Sequence, residues 1–345
     1  MPSMRSLILL ALCILLCSGG VFCQNSSTNI EDLKATALQA LVVDSSAKLA
    51  SYSFSMKMEQ KIDLVNLTTG EAQKLLTRSI GIGLANMTDR ALKLSMASLT
   101  YDESDKDNAS SMAIEEYLIN DTIYLKVDGN WTALKAPGIA ESWSEQSTMA
   151  QQLEMFNQSR LTLAGSEIVE GQDCYKVRAQ MNMSSMADQL SGEMASILPM
   201  QTSYAELFNN MSLDVCYWIT KDTHLLKKTD VLETLTVTPQ SLGLPVNESE
   251  PQEMRINSEA TVLFEGYNES VKVKLPAEAL AVQPLPMESM VSSEAVPVAA
   301  AVNETMTNKT ILDETGNENI AVKLNETLPD ESKQENNTAQ AAVTA

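Results

Sequence analysis

The chain has 345 residues, is 44% hydrophobic and carries a formal net charge of −21. This length allows one large domain or two ordinary ones with a sizeable apolar core. The negative charge argues against binding to nucleic acid or to an anionic membrane surface, because both are negatively charged and attract basic proteins.

Residues 1–23 have the pattern of a secretory signal peptide. Arg5 precedes an unbroken apolar run over residues 7–17, which is too short to form a transmembrane helix. The alternative is a lipoprotein signal in which Cys23 carries the lipid, but the bulky Phe22 precedes it where a small residue is usual. We therefore expect a secreted or cell-surface protein, with a lipid anchor at Cys23 as the alternative.

N-glycosylation sequons of the form Asn-x-Ser/Thr are much more frequent than chance. They include fifteen of the twenty-one asparagines, whereas the Ser and Thr content alone would give about four. This excess predicts a glycosylated extracytoplasmic protein from a eukaryote or an archaeon, and the alternative is a Ser- and Thr-rich chain without sugar. The sequons are at Asn25, Asn66, Asn86, Asn108, Asn120, Asn130, Asn157, Asn182, Asn210, Asn247, Asn268, Asn303, Asn308, Asn325 and Asn336.

Two cysteines, Cys174 and Cys216, lie beyond the signal segment. In an oxidising compartment they have a single intramolecular pairing. Each lies on the strand face opposite the main apolar stripe, which predicts a disulfide between neighbouring strands on the outer face of a sheet. A metal site is disfavoured because His224 is the one histidine of the chain and further ligands are lacking.

The first predicted elements are one helix over residues 29–43 and one long strand over residues 52–64. The strand alternates apolar and polar residues, and Gln60 is the single interruption of its apolar face, so this is the clearest strand signal in the chain. The apolar stripe of the helix consists of Leu33, Ala37 and Leu41.

Further strands follow, and their short connections indicate antiparallel pairing. Turns are expected at residues 120–121 and 128–129, and a hairpin with a polar turn at 221–224 occupies residues 213–238. The remaining predicted strands cover residues 79–84, 92–96, 115–119, 122–127, 161–169, 173–181, 259–267 and 270–275, and the remaining helices cover residues 144–157, 185–198 and 203–210.

The composition changes after residue 280. Residues 281–345 contain no aromatic residue, ten acidic residues and three lysines. Such a segment cannot bury enough apolar surface to become ordered. The predicted organisation is a signal peptide over 1–23, a folded domain over 24–280 and a disordered, acidic, glycosylated tail over 281–345.

Four local patterns resemble those of the LolA/LppX-like lipoprotein-carrier superfamily. None is catalytic, and their order along residues 30–280 gives the resemblance its specificity. Thr220 stands where an aspartate is common in the superfamily, and the acidic tail is an addition. The patterns are YLKVDGNW over residues 124–131, GSEIVEGQDCYKV over 165–177, WITKDTHLLK over 218–227 and YNESVKVKLP over 267–276.

The resemblance implies an α+β fold, in which a strongly curved antiparallel sheet forms a half-open β-barrel covered on its concave side by a few helices. Members of the superfamily carry acyl chains or lipidated partners, so a lipid or another apolar ligand is the implied partner. Flexible methionines suit such a surface, although methionines at this spacing can equally form a filled core. The candidates for lining a ligand cavity are Phe54, Met56, Met58, Leu94, Met96, Met186, Leu190 and Met194.

No catalytic motif is found in the sequence. The chain contains no G-x-S-x-G, H-E-x-x-H or P-loop pattern, and the pairs Glu115-Glu116 and Asp313-Glu314 are interpreted as solvated charge. We therefore expect a non-enzymatic binding protein without cofactor or metal, which holds or carries its ligand outside the cytoplasm and meets a membrane or envelope partner there. The alternative is a structural or adhesive glycosylated envelope protein without a ligand.

Overall fold

The computed structural model describes residues 30–139, 147–181, 210–239, 241 and 251–286. These residues form twelve strands and three helices. The helices are α1 (Ile30–Ser46), α2 (Thr148–Gln158) and α3 (Ala277–Leu280). The strands are β1 (Ser51–Val65), β2 (Ala72–Asn86), β3 (Ala91–Asp102), β4 (Asp105–Ile119), β5 (Thr122–Val127), β6 (Asn130–Lys135), β7 (Arg160–Val169), β8 (Gln172–Gln180), β9 (Met211–Thr220), β10 (Leu226–Val237), β11 (Glu253–Glu265) and β12 (Leu285–Pro286).

All twelve strands belong to one sheet, in the order β12-β6-β5-β4-β3-β2-β1-β11-β10-β9-β8-β7. Every neighbouring pair is antiparallel except β12 and β6, which are parallel. The sheet is not closed, because β7 and β12 each have one partner. The predicted half-open antiparallel sheet with few helices is therefore confirmed.

The sheet curves around one apolar cluster. Leu118 on β4 and Leu161 on β7 are eight positions apart in the strand order, yet both belong to the same buried cluster. The aromatic rings of Tyr52, Phe54 and Phe264 lie at its centre, with ring centroids 6.1–6.3 Å apart. We call the side of the sheet that carries these rings the concave face, and the opposite side the convex face.

Helix α1 packs onto this cluster with a different stripe from the predicted one. Ala35, Leu38 and Val42 are buried in the cluster, whereas Ala37 is exposed and Leu41 is 45% exposed. Both stripes have helical spacing, and α1 carries apolar residues on most of its circumference. Periodicity alone therefore could not decide which side of this helix faces the sheet.

Helix α2 begins later than predicted and covers the concave face near β9. The Ser147 hydroxyl caps it by accepting a hydrogen bond from the Ala150 amide at 3.2 Å. Phe156 stacks edge-to-face on Tyr217 with ring centroids 5.0 Å apart. The Tyr52 hydroxyl accepts a hydrogen bond from the Met149 amide at 3.3 Å, so α2 joins two distant strands.

The strand predicted over residues 270–275 does not form. A hairpin with β11 would require a free edge on that strand, and both edges of β11 are already paired with β1 and β10. Instead the segment is irregular, and the Asn86 side-chain amide donates a hydrogen bond to the carbonyl oxygen of Val271 at 2.8 Å. Beyond it β12 pairs with β6, which extends the described fold six residues past the predicted boundary at residue 280.

The predicted turns are confirmed. Asn120, Asp128, Gly129 and His224, which belong to these turns, have positive φ angles of 47–90°. The predicted helices over residues 185–198 and 203–210 and most of the tail lie outside the described residues.

Two glycines form a flat floor next to β1. Gly83 lies opposite Phe54 and Gly81 lies opposite Met56 on the concave face. A Cβ atom at Gly83 would come within 2.0 Å of the Phe54 ring, and one at Gly81 within 2.9 Å of the Met56 side chain. The glycines therefore let these two side chains lie across β2, and the apolar residues that alternate with them point to the convex face, where Ile82 is 47% exposed.

We expect Gly83→Ala to lower the free energy of unfolding by about 1–3 kcal/mol, since the added methyl group displaces a buried aromatic ring. Gly81→Ala is the matched control and should cost less, because the flexible Met56 side chain can move aside. Urea denaturation of both variants measures the difference. Equal stability of Gly83→Ala and the native chain would show that Phe54 does not occupy this position.

Candidate functional site

The concave face brings together the predicted cavity residues that the structure describes. Phe54 on β1 and Leu94 on β3 both oppose Gly83, and Met56 and Met96 both oppose Gly81 in the next row. Met58 follows in the third row. Met186, Leu190 and Met194 lie outside the described residues.

These side chains are not all sealed in the core. Phe54 and Met96 are buried, whereas Met56, Met58 and Leu94 are half-buried on a wall formed by three adjacent strands. The wall is apolar and has a floor of glycine backbone. It can therefore offer a smooth, adaptable contact surface to hydrocarbon.

A row of polar side chains crosses the concave face below this wall. The strand register aligns Thr100, Thr77, Gln60, Ser258 and Glu233 on five adjacent strands, from β3 to β10. We call these five residues the polar belt. All except Thr100 are at least 95% buried, so these polar groups lie within the fold and away from bulk water.

The polar belt separates two apolar clusters. The larger cluster contains the aromatic rings near α1 and α2, and the smaller one lies on the other side of the belt. The smaller cluster consists of Ile62, Leu64, Leu235, Val237 and Ile256, with Leu75, Met211 and Met254 packed against it.

Hydrogen bonds satisfy one half of the polar belt. The hydroxyls of Thr77 and Thr100 are 2.9 Å apart, and those of Ser79 and Ser98 in the adjoining row are 2.8 Å apart. Gln60 donates through Nε2 to the Ser258 hydroxyl at 3.1 Å. This half of the belt therefore follows the rule that buried polar groups are paired.

The other half is not satisfied. Glu233 is 5% exposed, and its Oε2 atom is buried without a hydrogen-bond partner among the described residues. The Oε1 atom of Gln60 is likewise buried without a donor. Burial raises the pKa of Glu233 to about 7, because desolvation penalises the carboxylate.

The polar belt was missed at the level of sequence, although its signal is visible there. Gln60 is the interruption of the apolar face of β1, and Glu233 interrupts the face of β10 formed by Val231 and Leu235. Each looks like an isolated defect. Only the register of β1 with β11 and of β11 with β10 places the two defects in one row.

The acidic pair at 115–116 is split between the two faces. Glu115 forms an ion pair with Lys126 at 3.3 Å on the convex face. Glu116 is half-buried on the concave face beside Leu94 and Leu125, and desolvation raises its pKa. The interpretation of both residues as solvated charge is therefore wrong for Glu116.

The predicted disulfide is not formed, and both cysteines are free. They do lie on neighbouring strands and on the same face, but Cys174 opposes Thr220 whereas Cys216 opposes Arg178. A shift of four residues along a strand corresponds to about 13 Å, and disulfides require Cα atoms within about 7 Å. The Trp218 ring lies between them and packs under Lys176, whose Nζ atom is 4.8 Å from the ring centroid.

The sequon asparagines that the structure describes lie in turns, at strand ends, within strands or, for Asn157, in helix α2. Asn86 is an exception among them, since it is buried and its Nδ2 atom, to which a glycan would be attached, donates hydrogen bonds to Asp89 and Val271. Asn66 is half-buried. The exposed ones are Asn108, Asn120, Asn130, Asn157, Asn210 and Asn268. The remaining sequons at Asn25, Asn182, Asn247, Asn303, Asn308, Asn325 and Asn336 lie outside the described residues.

A shallow depression of about 670 Å³ lies on the solvent side of α1 and is not connected with the predicted cavity residues. Its lining consists of Thr36, Gln39, Ala40, Val43, Asp44, Ala47 and Asn157. Within the described part of the chain, no group of His, Cys, Asp and Glu side chains is placed to hold a metal ion. No helix there is long and apolar enough to cross a membrane.

Residues 34–283 match the profile of a family described as a family of unknown function, DUF6612. No curated protein matches the chain. Among solved structures, the chain is similar to the lipoprotein LppX of Mycobacterium tuberculosis, with 15% identity and a TM-score of 0.36 over 70% of this chain and 100% of that one.

Two further structures show comparable coverage. LprF of Mycobacterium bovis has 13% identity and a TM-score of 0.37, over 71% of this chain and 98% of that one. A LolA superfamily protein of Nitrosomonas europaea has 7% identity and a TM-score of 0.19, over 71% and 96%.

The raised pKa of Glu233 predicts how stability changes with pH. The folded chain retains a proton on Glu233 up to a pH of about 7, whereas an unfolded glutamate loses it near about 4.3. The contribution of this residue is therefore fully present below about pH 4 and declines, by up to about 1.4 kcal/mol per pH unit, until about pH 7.

Glu233→Gln removes this decline, so the variant should exceed the native chain in free energy of unfolding by about 2–4 kcal/mol at pH 8 and by much less at pH 4. Glu259→Gln, which removes an exposed carboxylate from the convex face of β11, is the matched control and should follow the native pH profile. Denaturant titrations at both pH values test this. A Glu233→Gln variant that loses stability at pH 8 would mean that the carboxylate has an ionic partner.

Proposed function

Because the chain belongs to DUF6612, a family of unknown function, we propose its function from the concave face: an extracytoplasmic, non-enzymatic binding protein that holds a lipid or another apolar ligand. The observation that carries this proposal is the convergence of Phe54, Met56 and Met58 on β1 with Leu94 and Met96 on β3, on either side of the glycines of β2. Three of these residues remain half-buried.

The chemistry of the wall supports hydrocarbon as the ligand. Its side chains provide apolar contact and no charge. Two carboxyl groups, Glu116 on β4 and Glu233 on β10, lie elsewhere on the concave face, and desolvation disfavours both as carboxylates. Each buried methylene of a ligand contributes about 0.8 kcal/mol. A chain of about twelve buried methylenes would gain about 10 kcal/mol, which leaves useful affinity after the cost of association.

The helices support a site that is covered on one side. α1 and α2 pack on the part of the concave face that carries Tyr52 and Tyr217, and α2 is fixed there by the Tyr217 hydroxyl, which donates to the Gln152 carbonyl oxygen at 3.4 Å. A ligand on the methionine wall would thus meet rigid aromatic groups at one end. Such preorganisation lowers the entropic cost of binding.

The proposal is tested by two substitutions at adjacent positions of β1. Met58 faces the wall and Lys57 is exposed on the convex face, so Met58→Glu places a charge in the site whereas Lys57→Glu does not. We expect Met58→Glu to reduce uptake of a fluorescent long-chain alcohol by the mature chain at least tenfold, and Lys57→Glu to leave it unchanged. Circular dichroism verifies that both variants are folded.

Equal uptake by the two folded variants would contradict a site on the concave face. Absence of uptake by the native chain, together with a Met58→Glu variant that unfolds, would contradict ligand binding altogether. The protein would then be a structural glycoprotein of the cell envelope whose concave face is a filled core.

A further inference from the structure

The polar belt contains two buried acceptor atoms that no described residue satisfies, Oε2 of Glu233 and Oε1 of Gln60. They lie two strands apart on the concave face, with Ser258 between them. Neighbouring strands are separated by about 4.8 Å, so the two backbones are about 10 Å apart and both side chains can reach one small group above Ser258.

An unsatisfied buried acceptor is costly, and its presence in a folded protein requires an explanation. The described residues around Glu233 provide no such explanation. Val231 and Leu235 precede and follow it on the same face of β10, Leu213 opposes it on β9 and Ser258 opposes it on β11. No described titratable side chain faces it from these strands, and no described donor reaches its Oε2 atom.

We infer that the polar belt binds the hydrogen-bond-donating polar group, a hydroxyl or an ammonium, of an amphipathic ligand whose hydrocarbon lies on the adjoining apolar surfaces. This inference rests on the proposed function and specifies its ligand class. Glu233 and Gln60 accept hydrogen bonds from the polar group. The hydrocarbon contacts the methionine wall on one side of the belt, and the cluster around Ile62 and Leu235 can receive a second apolar segment on the other side.

The position of the belt explains why the ligand would be selected and not merely absorbed. A ligand without donors would leave both acceptors buried and unpaired. Above a pH of about 7, where Glu233 is ionised, a ligand with a carboxylate would place its negative charge against that of Glu233. In each case Glu233 and Gln60 lack hydrogen bonds that water would otherwise provide. A donor-bearing ligand restores them, so the belt discriminates between chains of equal length by their polar group.

The test compares three ligands with the same sixteen-carbon chain, namely hexadecylamine, hexadecanol and methyl palmitate, which has no donor. Each is titrated at pH 8 against the mature chain loaded with the apolar dye N-phenyl-1-naphthylamine. We expect the amine and the alcohol to displace the dye at concentrations at least tenfold below that of methyl palmitate. Glu233→Leu, which removes the acceptor, should abolish this preference for both.

Two further variants keep the result interpretable. Glu259→Leu, on the convex face of β11, should preserve the preference. Glu233→Gln keeps the shape and one acceptor, so it should lose the preference for the amine and retain that for the alcohol, even if Glu233→Leu folds poorly. Equal displacement by all three ligands, or an unchanged preference in Glu233→Gln and Glu233→Leu, would overturn the inference and leave the proposed function standing. Failure of the native chain to bind the dye or any of the ligands would overturn both.

Discussion

The structure depends on strand β1 and on its pairing along both edges. Its fifteen residues pair with β2 over their whole length, and from residue 53 onward with β11. The strands before and after α2 would otherwise be two separate sheets, since β1–β6 follow one another in the chain and β7–β11 form a second series. β1 joins them, and its alternating apolar side chains become the centre of the shared concave face. This single antiparallel junction thus creates both the continuous sheet and the wall.

The same junction sets the chemistry of the concave face. Because side chains alternate strictly along strands, the register of β1 fixes which residues of four neighbouring strands share a row. One row carries the Phe54 ring over glycine, the next two carry methionines, and the fourth carries the polar belt. A shift of one residue would turn all of these outward. Apolar contact and polar selection are therefore two consequences of one hydrogen-bonding pattern.

Buried side chains on the convex face are covered differently from those on the concave face. Trp218 is buried there because two lysine side chains cover its ring. The Nζ atoms of Lys176 and Lys228 lie 4.8 and 4.3 Å from the ring centroid. Its indole N–H donates to Glu167 at 3.1 Å. Charged side chains thus form the outer cover of this part of the sheet, while the concave face relies on apolar packing.

The strands of the sheet could be predicted from the sequence, but the rows of side chains that cross the strands could not. Alternation in β1, β9 and β10 identified their buried faces, and turn chemistry located the hairpins at Asn120 and Asp128. The polar first half of β4 was missed, because exposed residues carry no alternation. The predicted disulfide was wrong, and the polar belt was not predicted, for the same reason. Both depend on the register between strands distant in the chain, which no local pattern encodes. The prediction of the buried stripe of α1 was wrong because apolar residues occupy most of the circumference of this helix.

Photo-crosslinking can show directly whether apolar ligands bind on the wall of β1, β2 and β3. A long-chain alcohol with a diazirine group in its chain is bound to the mature protein, the complex is irradiated, and the labelled residues are mapped by peptide mass spectrometry. We expect label on the concave-face residues Met56, Met58, Leu94 or Met96, and loss of this label when an unlabelled long-chain ligand competes. Label confined to convex-face residues such as Ile82 and Leu232, or label that no ligand competes away, would contradict binding on this wall.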